Sequence, residues 1–392
     1  MSERLVVVGG GPAGLAAARS YRESGGRGRV TLLSTERHPP YRRPPLTKEY
    51  LRGKTAREDL PLQQAAWFGQ NAVDLRLAVA ATSLDLERRV VVTGEGELPY
   101  DACVLATGSE PVRPPVPGAD DPEVLVMRTV EDSTRLSGQT GPGSRAVVVG
   151  SGFIGCEAAA SLALRGAEVT LVSLDELPQG SLLGPEAGDR IRAWLENRGI
   201  GLRLGAGITG IERRDGGFAV GLDGGETIST ETVLLGTGVE ARTGLAERAG
   251  LEVDGGVVTD SSMRTVDPSV FAAGDIAFAY NEAAEAHIRV EHWGDALEHG
   301  RIAGSVLAGA EARWESAPGF WSTIGDRTLK YTAWSGGWDE ARFLEHEPGG
   351  PDGPFTVWYG REGVCVGVLT HNYDEDYERG GELIKAGAPV PG

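Results

Sequence analysis

Three glycines near the start of the chain, spaced G-x-G-x-x-G, are suited to holding a pyrophosphate. In this pattern Gly9 permits a tight turn, Gly11 lets the backbone approach the ligand, and Gly14 lets a helix pack closely on a strand. The glycines stand between an apolar run at 5–8, predicted as a buried strand, and an alanine-rich helix predicted at 13–21. The free N–H groups at the start of that helix attract an anion. Strand, glycines and helix occur in the order that a dinucleotide site requires.

The same pattern occurs a second time, at residues 145–172, again between a predicted strand and a predicted helix. One match is plausible by chance, but two complete units are not, so the sequence predicts two dinucleotide sites rather than two structural turns. The contacts predicted within the two patterns are Gly9, Gly11, Pro12, Ala13, Gly14, Gly150, Gly152, Phe153, Ile154 and Gly155.

Further candidate contacts follow the strands that must flank each glycine turn. Glu36 ends the predicted strand 30–36, about 20 residues after the first turn, where an acid commonly binds the ribose of the adenine half. The alternative for Glu36 is a solvated side chain at a strand end. A later strand ends in the sequence A-T-G and brings its backbone close to a bound dinucleotide; segment 232–251 repeats this ending. These endings add Ala106, Thr107, Gly108 and Gly238 to the predicted contacts.

Composition excludes several other functions. A chain of 392 residues has room for two or three domains, and its net charge of −18 disfavours non-specific binding to nucleic acid. It has no apolar run of membrane-spanning length and no signal-peptide pattern, so we expect a cytoplasmic protein without a membrane contact. The three cysteines lie far apart, and neither they nor the six histidines form a grouping typical of a metal site.

A proline-rich basic segment carries a resemblance to a known family. Its string YRRPPLTK, residues 41–48, resembles the Y-x-R-P-P-L-S-K signature of FAD-dependent ferredoxin and rubredoxin reductases. That group includes oxygenase-coupled reductases and apoptosis-inducing-factor-like flavoproteins. The resemblance implies that Arg43 and Lys48 lie against the flavin. The string GFIGCE likewise resembles the family's G-F-I-G-x-E, which implies that Glu157 reaches towards the nicotinamide and pairs with Lys48; the alternative is that Glu157, in the first turn of a helix, complements the helix dipole.

Two more strings match the family in the later part of the chain. PSVFAAGDIA, residues 268–277, resembles its second FAD fingerprint, which implies that Asp275, after Gly274, binds the ribityl hydroxyls. The string EHWGDA resembles the E-x-W-x-x-A helix, which implies that Glu291, His292 and Trp293 lie near the rim of the isoalloxazine; a plain core role for the tryptophan is the alternative. One departure is that Val112 stands where the family usually has an arginine, and Arg113 follows it.

The predicted fold is α/β, with two Rossmann-like domains of the glutathione-reductase type and a C-terminal α+β domain. The resemblance implies an FAD domain at 1–115 and 241–317, an NAD(P)H domain at 116–240, and a C-terminal domain at 318–392. In the last, alternating apolar and polar residues predict an antiparallel sheet of four or five strands, and 372–387 predicts a terminal helix. The string FW at 320–321 also matches the family, where this domain covers the flavin and helps to form the docking surface for the electron partner.

Two dinucleotide sites, one for FAD and one for a nicotinamide nucleotide, imply hydride transfer from nicotinamide to flavin. No C-x-x-C or C-x-x-x-x-C pair is available to receive the electrons, so they must leave the protein. The resemblance names the acceptor as a two-iron ferredoxin or a rubredoxin that serves an oxygenase such as a cytochrome P450. Around Ser173 stand acids and no arginine for a 2′-phosphate, which favours NADH and leaves NADPH open.

Two alternative functions remain open at this stage. One is an NADH-dependent flavoprotein that reduces a quinone or oxygen, and the other is an NADH-responsive binding protein similar to apoptosis-inducing factor. The acidic net charge would repel a small acidic ferredoxin unless the docking surface is locally basic or mostly apolar. Arg52, Lys54 and Arg57 are the candidates for a basic surface. The oligomeric state is either a monomer or a homodimer.

Overall fold

The computed structural model describes residues 3–334, 337–347 and 349–391. The chain divides into two compact units. The first comprises residues up to Arg42, Leu60–Glu110 and Glu240–Phe320, and the second comprises Arg43–Asp59, Pro111–Val239 and the chain from Trp321 onwards. Strands Ser109–Pro111 and Val239–Ala241 pair where the chain passes from one unit to the other. The three-domain boundaries predicted from the sequence stay a prediction. Within the described residues, none of the helices has both the length and the apolar character needed to span a bilayer.

The first unit is built on a parallel sheet whose strands are almost wholly buried, except for the edge strand Val73–Arg76. Its strands, in spatial order, are Val270–Ala272, Ala102–Leu105, Arg4–Val8, Arg29–Leu33 and Val73–Arg76. The predicted strand at 30–36 is therefore shorter than expected, and Glu36 stands beyond its end. Helices Pro12–Glu23 and Trp293–Leu307 pack on each other, and short helices Ala65–Gln70 and Gly244–Ala249 complete the unit.

Two small sheets complete the strands of the first unit. One is antiparallel, with strands Ala81–Asp85, Val90–Thr93 and Gly96–Pro99. The second and third of these strands form a tight hairpin, because Thr93 pairs with Gly96. The other sheet has strands Val257–Thr259, Ala277–Asn281 and Ala286–Arg289.

The second unit contains a second parallel sheet of the same kind. Its strands are Gly201–Arg203, Glu168–Val172, Arg145–Val149, Thr232–Leu235 and Leu125–Val126. Helices Val130–Gln139, Phe153–Leu164, Gly180–Leu183 and Pro185–Glu196 connect these strands. An antiparallel sheet of Ile208–Arg214, Gly217–Leu222 and Thr227–Thr230 shares its apolar core, in which Val147, Val220 and Val233 are buried.

The last part of the second unit is the predicted antiparallel sheet. Its five strands, in spatial order, are Gly319–Ile324, Arg327–Ala333, Val364–His371, Phe355–Arg361 and Glu340–Glu345. The predicted terminal helix is present at Asp374–Lys385 and packs on this sheet, where a Cβ atom on Gly380 would lie 2.3 Å from Val368. Short 3-10 helices occur at Pro44–Thr47, Arg57–Asp59 and Gly350–Asp352.

The segment that carries the YRRPPLTK motif is anchored to the second unit. Its prolines Pro44 and Pro45 begin the 3-10 helix Pro44–Thr47. Side chains of two helices bind its backbone: Ser133 Oγ donates to Leu46 O at 2.6 Å, and Ser161 Oγ donates to Thr47 O at 2.7 Å. These bonds fix the position of the residue that follows, Lys48.

Candidate nucleotide sites and a buried ion pair

The first glycine turn is closed tightly on its inner side. Gly9 has φ +127°, and a Cβ atom there would lie 2.0 Å from the carbonyl oxygen of Ala106. A Cβ atom on Gly14 would lie 1.9 Å from the carbonyl oxygen of Gly9. No other residue fits either position without moving the backbone, so these two glycines hold strand, turn and helix together. Ala106 is the first residue of the predicted A-T-G contact.

The outer side of the same turn is open. A Cβ atom on Gly11 would meet no heavy atom within 4 Å, although Gly11 has an ordinary negative φ of −86°. Gly11 is the N-cap of helix Pro12–Glu23, and no side chain caps that end. The open space at the positive end of this helix therefore has room for a phosphate-sized anion. The residues present suit the pyrophosphate of FAD.

The helix that starts at Trp293 is aligned with this turn by two glycines that sequence analysis missed. A Cβ atom on Gly300 would lie 2.1 Å from Ala13 O, and one on Gly304 would lie 2.2 Å from Ala17 O. The two helices therefore run in parallel with their backbones in contact. Gly300 lies beside the start of the first helix, and Trp293 precedes Gly300 by seven residues. Trp293 therefore lies about 10 Å beyond that start, at the end of the helix where the ligand would bind. The G-x-x-x-G spacing of Gly300 and Gly304 was the available signal.

Asp275 is held near the start of the first helix. A Cβ atom on Gly274, which has φ +80°, would lie 2.9 Å from Ala13 Cβ and 3.5 Å from Ala296 Cβ. The half-buried Asp275 carboxylate accepts a hydrogen bond from Ser109 Oγ at 2.6 Å. Ser109, missed by sequence analysis, fixes the carboxylate in a position adjoining the glycine turn. A carboxylate so placed can accept hydrogen bonds from sugar hydroxyls.

The other residues predicted for the flavin side have their own partners in the first unit. Glu291 is exposed and forms an ion pair with Arg289. The ring of His292 lies against Phe320, and its Nδ1 atom lies 3.0 Å from Asp295. These contacts order the backbone immediately before the helix that starts at Trp293.

Glu36 and the A-T-G segment also occupy defined positions. Tyr41 donates its hydroxyl hydrogen to the Glu36 carboxylate at 2.5 Å, which orients that side chain beyond the end of its strand. The Ser34 hydroxyl accepts a hydrogen bond from the Glu36 N–H at 3.2 Å. Thr107 Oγ1 donates to Arg242 O at 3.0 Å, and Gly108 next to it has φ +71°.

The second glycine turn repeats the first one in its inner contacts. Gly150 has φ +103°, and a Cβ atom there would lie 2.3 Å from Gly236 O. A Cβ atom on Gly155 would lie 2.0 Å from Gly150 O. A Cβ atom on Gly152 would have no neighbour closer than 3.8 Å, so a phosphate again has room at the end of a helix without a side-chain cap. The residues fit a second dinucleotide.

Polar contacts distinguish the second turn from the first. The Oγ atoms of Ser151 and Ser173 lie 2.7 Å apart, and Gln179 Nε2 donates to Ser151 O at 2.9 Å. Sequence analysis missed Ser151 and Gln179; Gln179 has φ +61°, which no sequence pattern indicates. The Ser173 hydroxyl is therefore engaged within the turn. Asp175 and Glu176 follow it, and both are exposed.

A buried ion pair joins the motif lysine to the second nucleotide unit. Lys48 Nζ lies 2.7 Å from Glu157 Oε2, and both side chains are less than a tenth exposed. Thr47 Oγ1 also donates to Glu157 Oε2, at 2.5 Å. The helix begins at Phe153 and has no acid in its first turn, so the alternative that placed Glu157 in that turn to complement the dipole is wrong. The structure brings together Lys48 and Glu157, which are distant in sequence.

Most cations of the motif segment are neutralised within the second unit. Arg52 pairs with Glu49, and Arg57 pairs with Glu131. Lys54 is exposed, and no ion pair involves it among the described residues. The basic surface predicted from Arg52, Lys54 and Arg57 thus carries less unpaired charge than the sequence indicates.

Two further arginines bind backbone oxygens of the second unit. Arg43 donates to Arg128 O at 2.6 Å. Arg113, which follows the family's usual arginine position by one residue, donates to Ala119 O at 2.5 Å and to Val124 O at 3.0 Å. The guanidinium of Arg113 therefore orders the loop 119–124.

The three cysteines are buried and unpaired. Burial raises the pKa of Cys103 and of Cys156 well above the ordinary value of a thiol. Neither thiol therefore ionises readily, and the thiolate is the form of cysteine that acts as a nucleophile. Cys103 lies in a buried strand and Cys156 at a buried position of a helix, so both are packing residues.

Two parallel sheets, each followed by a glycine turn with room for a phosphate, are typical of an α/β oxidoreductase that binds two dinucleotides. The chain belongs to the pyridine nucleotide-disulphide oxidoreductase family, whose model matches residues 3–300. Like other members of this class, it uses FAD and NAD(P)H. Membership of this family confirms the predicted α/β fold and the prediction that the protein is an enzyme.

Three relatives illustrate how close the similarity is. Rubredoxin-NAD(+) reductase of Pseudomonas putida is 34% identical over 328 residues, which cover 83% of this chain and 85% of the relative. Rhodocoxin reductase of Rhodococcus erythropolis is 34% identical over 338 residues, covering 86% and 79% respectively. Among solved structures, the covalent complex of putidaredoxin reductase with putidaredoxin contains a chain that superposes with a TM-score of 0.93 at 30% identity, covering 99% of this chain and 94% of that one.

Proposed function

We propose that the protein is an FAD-dependent NADH:ferredoxin oxidoreductase. It passes electrons from NADH through FAD to a two-iron ferredoxin or a rubredoxin, which serves an oxygenase such as a cytochrome P450. The observation that carries this proposal is 34% identity to a rubredoxin reductase over most of both chains. Two nucleotide cradles without a reactive cysteine support the same function, because the electrons must leave the protein. We place this activity in the cytoplasm.

The first unit is proposed to hold FAD. Gly11 and the start of helix Pro12–Glu23 bind its pyrophosphate through backbone N–H groups, and Glu36 accepts hydrogen bonds from the adenine-side ribose. The carboxylate of Asp275 accepts hydrogen bonds from the ribityl hydroxyls. Trp293 contacts the rim of the flavin and limits access of water to it.

The second unit is proposed to hold the nicotinamide nucleotide. Gly152 and the start of helix Phe153–Leu164 bind its pyrophosphate, and Gly238 lets the backbone approach the ligand. Asp175 and Glu176 stand beyond the strand Glu168–Val172, where the adenine-side ribose of a dinucleotide lies. Two carboxylates there repel a 2′-phosphate, so we propose NADH as the donor.

Bound FAD and NADH supply the hydride and one-electron chemistry, and the protein supplies binding, orientation and charge. Lys48 offers a fixed ammonium group at the flavin, held by its ion pair with Glu157. Glu157 is proposed to reach towards the nicotinamide. Such fixed charges favour a reaction in which negative charge moves between two rings, since they need no reorganisation. Arg43 is proposed as a further contact of the flavin.

An anaerobic titration of the oxidised holoenzyme tests the electron donor. NADH and NADPH are added to separate samples while flavin absorbance is recorded. Bleaching by stoichiometric NADH is expected, with NADPH requiring a large excess. Absence of bleaching by either nucleotide would overturn the reductase proposal.

A steady-state assay then tests the acceptor. Reduction of a two-iron ferredoxin or a rubredoxin by NADH should be at least about tenfold faster per micromolar acceptor than reduction of a quinone or of oxygen, as expected of a protein partner with a specific docking surface. Faster reduction of the quinone would favour the small-molecule alternative. A stable reduced flavin with a changed oligomeric state would favour the binding protein.

A further inference from the structure

The buried carboxylate of Glu157 is held from two sides. Its Oε2 atom accepts hydrogen bonds from Lys48 Nζ at 2.7 Å and from Thr47 Oγ1 at 2.5 Å. Its Oε1 atom accepts from Ser322 Oγ at 2.8 Å and from the backbone N–H of Thr323 at 3.2 Å. All of these residues belong to the second unit. The proposed function uses the Oε2 side and gives the Oε1 side no role.

The two oxygens of a carboxylate are joined rigidly, so a donor on one of them orients the other. Without the Ser322 hydroxyl, Oε1 would keep one donor, the longer bond from the Thr323 N–H. The carboxylate could then turn about its terminal torsion, which has a broad energy minimum, and Oε2 would move relative to Lys48. Because the carboxylate is buried, water does not replace a hydrogen bond that it loses.

We propose that Ser322 is a positioning residue for the reductive half-reaction. By binding Glu157 Oε1, it fixes the carboxylate and, through Oε2, the ammonium group of Lys48. The strand Gly319–Ile324 of the C-terminal sheet thereby sets the geometry of an ion pair whose two members come from a loop and from a nucleotide-binding helix. This inference rests on the proposed function, since it assigns Lys48 and Glu157 to the reaction.

The chemistry of Ser322 favours this role over simple packing. The side chain is 1% exposed within a strand, where a β-branched apolar residue would pack better than serine. Its hydroxyl donates to a carboxylate, and hydrogen bonds to charged groups are about twice as strong as neutral ones. A matched bond elsewhere provides the control: Ser261 Oγ donates to Glu282 Oε1, also at 2.8 Å, and Ser261 is 4% exposed.

Chemical labelling of lysine tests the geometry without measuring activity. The chain has four lysines, Lys48, Lys54, Lys330 and Lys385, so each acetylated site can be quantified by peptide mass spectrometry. The holoenzyme is treated with an acetylating reagent, and the rate at Lys48 is divided by the rate at Lys54. In Ser322→Ala this ratio should rise about tenfold, which matches the loss of one hydrogen bond to a charged group. Ser261→Ala and Ser322→Thr should leave the ratio within about twofold of wild type.

Stopped-flow reduction of the flavin by NADH provides the second measurement. In Ser322→Ala the limiting rate constant should fall about tenfold while the apparent dissociation constant of NADH stays within twofold, because the change affects alignment rather than binding. Ser322→Thr should restore the rate constant, and Ser261→Ala should not change it. If Ser322→Ala does not fold, Ser322→Cys replaces it, since a thiol of similar volume donates only weakly.

Two results would overturn the inference. One is an unchanged labelling ratio in Ser322→Ala, and the other is an equal loss of rate in Ser322→Ala and Ser261→Ala. Failure of NADH to reduce the wild-type flavin would remove the proposed function instead. The labelling ratio would still decide whether Ser322 positions the ion pair.

Discussion

Lys48 and Glu157 are separated by 109 residues in the sequence, and their charged groups lie 2.7 Å apart. Their side chains are only 8% and 7% exposed, so neither charge is well solvated. Each charge is tolerated because the other is present, since a buried charge without a partner is strongly destabilising. The pair therefore links the YRRPPLTK motif to the helix of the second glycine turn.

Removing the ammonium group tests whether the pair acts in the reaction. Lys48→Met should lower the limiting rate constant of flavin reduction by NADH about 10- to 100-fold, the effect of losing a fixed charge or a precise alignment. FAD should stay bound. Anaerobic stopped-flow absorbance measures the rate constant, and the flavin-to-protein ratio measures binding.

The double variant separates the reaction from stability. Lys48→Met alone leaves Glu157 without its counter-ion and should lower the free energy of unfolding by about 3 kcal/mol. Lys48→Met/Glu157→Gln removes both charges and should regain much of that loss in a thermal denaturation, but not the rate constant. If the double variant regains the rate as well, both residues return to a structural role.

Gly11 and Gly9 should respond differently to alanine. Gly11→Ala adds a methyl group in open space at an ordinary φ, so the apoprotein should fold while its dissociation constant for FAD rises at least about tenfold. Gly9→Ala would place Cβ 2.0 Å from Ala106 O and should prevent folding.

Apoprotein thermal denaturation and FAD fluorescence titration measure the two effects of the Gly11 substitution. Gly138→Ala is the matched control, because it also adds a methyl in open space, within helix Val130–Gln139 and away from both glycine turns. An unchanged FAD affinity in Gly11→Ala would place the pyrophosphate elsewhere.

Charge reversal beyond the strand Glu168–Val172 should change the choice of nucleotide. Asp175→Arg replaces a repelling carboxylate by a cation and should shift the ratio of kcat/KM values towards NADPH by at least about tenfold, the size of one charge interaction near a surface. Initial rates with both nucleotides give this ratio. Asp215→Arg, in the turn between two strands of the second unit, is the control and should leave the ratio unchanged.

Lys54 is the exposed cation of the motif segment for which the described residues provide no ion pair. Lys54→Glu should slow reduction of the iron–sulfur acceptor about two- to tenfold at low ionic strength, with less effect at high salt. Flavin reduction by NADH should not change. Lys385→Glu changes the net charge of the protein by the same amount as Lys54→Glu and serves as the control. Equal slowing in both variants would exclude a local docking contact.

His299 should make the protein acid-sensitive. Burial lowers its pKa to about 4 from an ordinary value of 6.5, and neither ring nitrogen has a hydrogen-bond partner among the described residues. The unfolded chain therefore binds this proton more readily between pH 6.5 and 4. The free energy of unfolding should fall by up to about 3 kcal/mol as pH falls through that window. Above pH 6.5 His299 is neutral in both states, so this stability is fully present there.

A leucine at this position removes the titrating group and its unpaired nitrogens. His299→Leu should flatten the dependence of the thermal midpoint on pH between 6.5 and 4, relative to wild type. His287→Leu, at an exposed position, should leave that dependence as it is in wild type. Parallel curves for His299→Leu and wild type would show that another group titrates.

Much of the fold could be predicted because its signals are local. The first glycine turn, the hairpin at Gly96 and the terminal helix each depend on residues within a few positions of one another. Gly300 and Gly304 were missed, although their spacing was visible, because small residues in a helix indicate close packing without naming the partner. Gln179 gave no signal, since its positive φ follows from the fold around it.

The sequence by itself determined the two dinucleotide cradles, since each consists of glycines at fixed spacing between a strand and a helix that are adjacent in the chain. It also determined that electrons must leave the protein, because no cysteine pair is present to receive them. Only the tertiary structure decided that the Lys48 segment is anchored to the second unit, and that Ser322 completes the donors around Glu157. The physical reason is that a buried charge must find its donors in space, and those donors come from segments far apart in the chain.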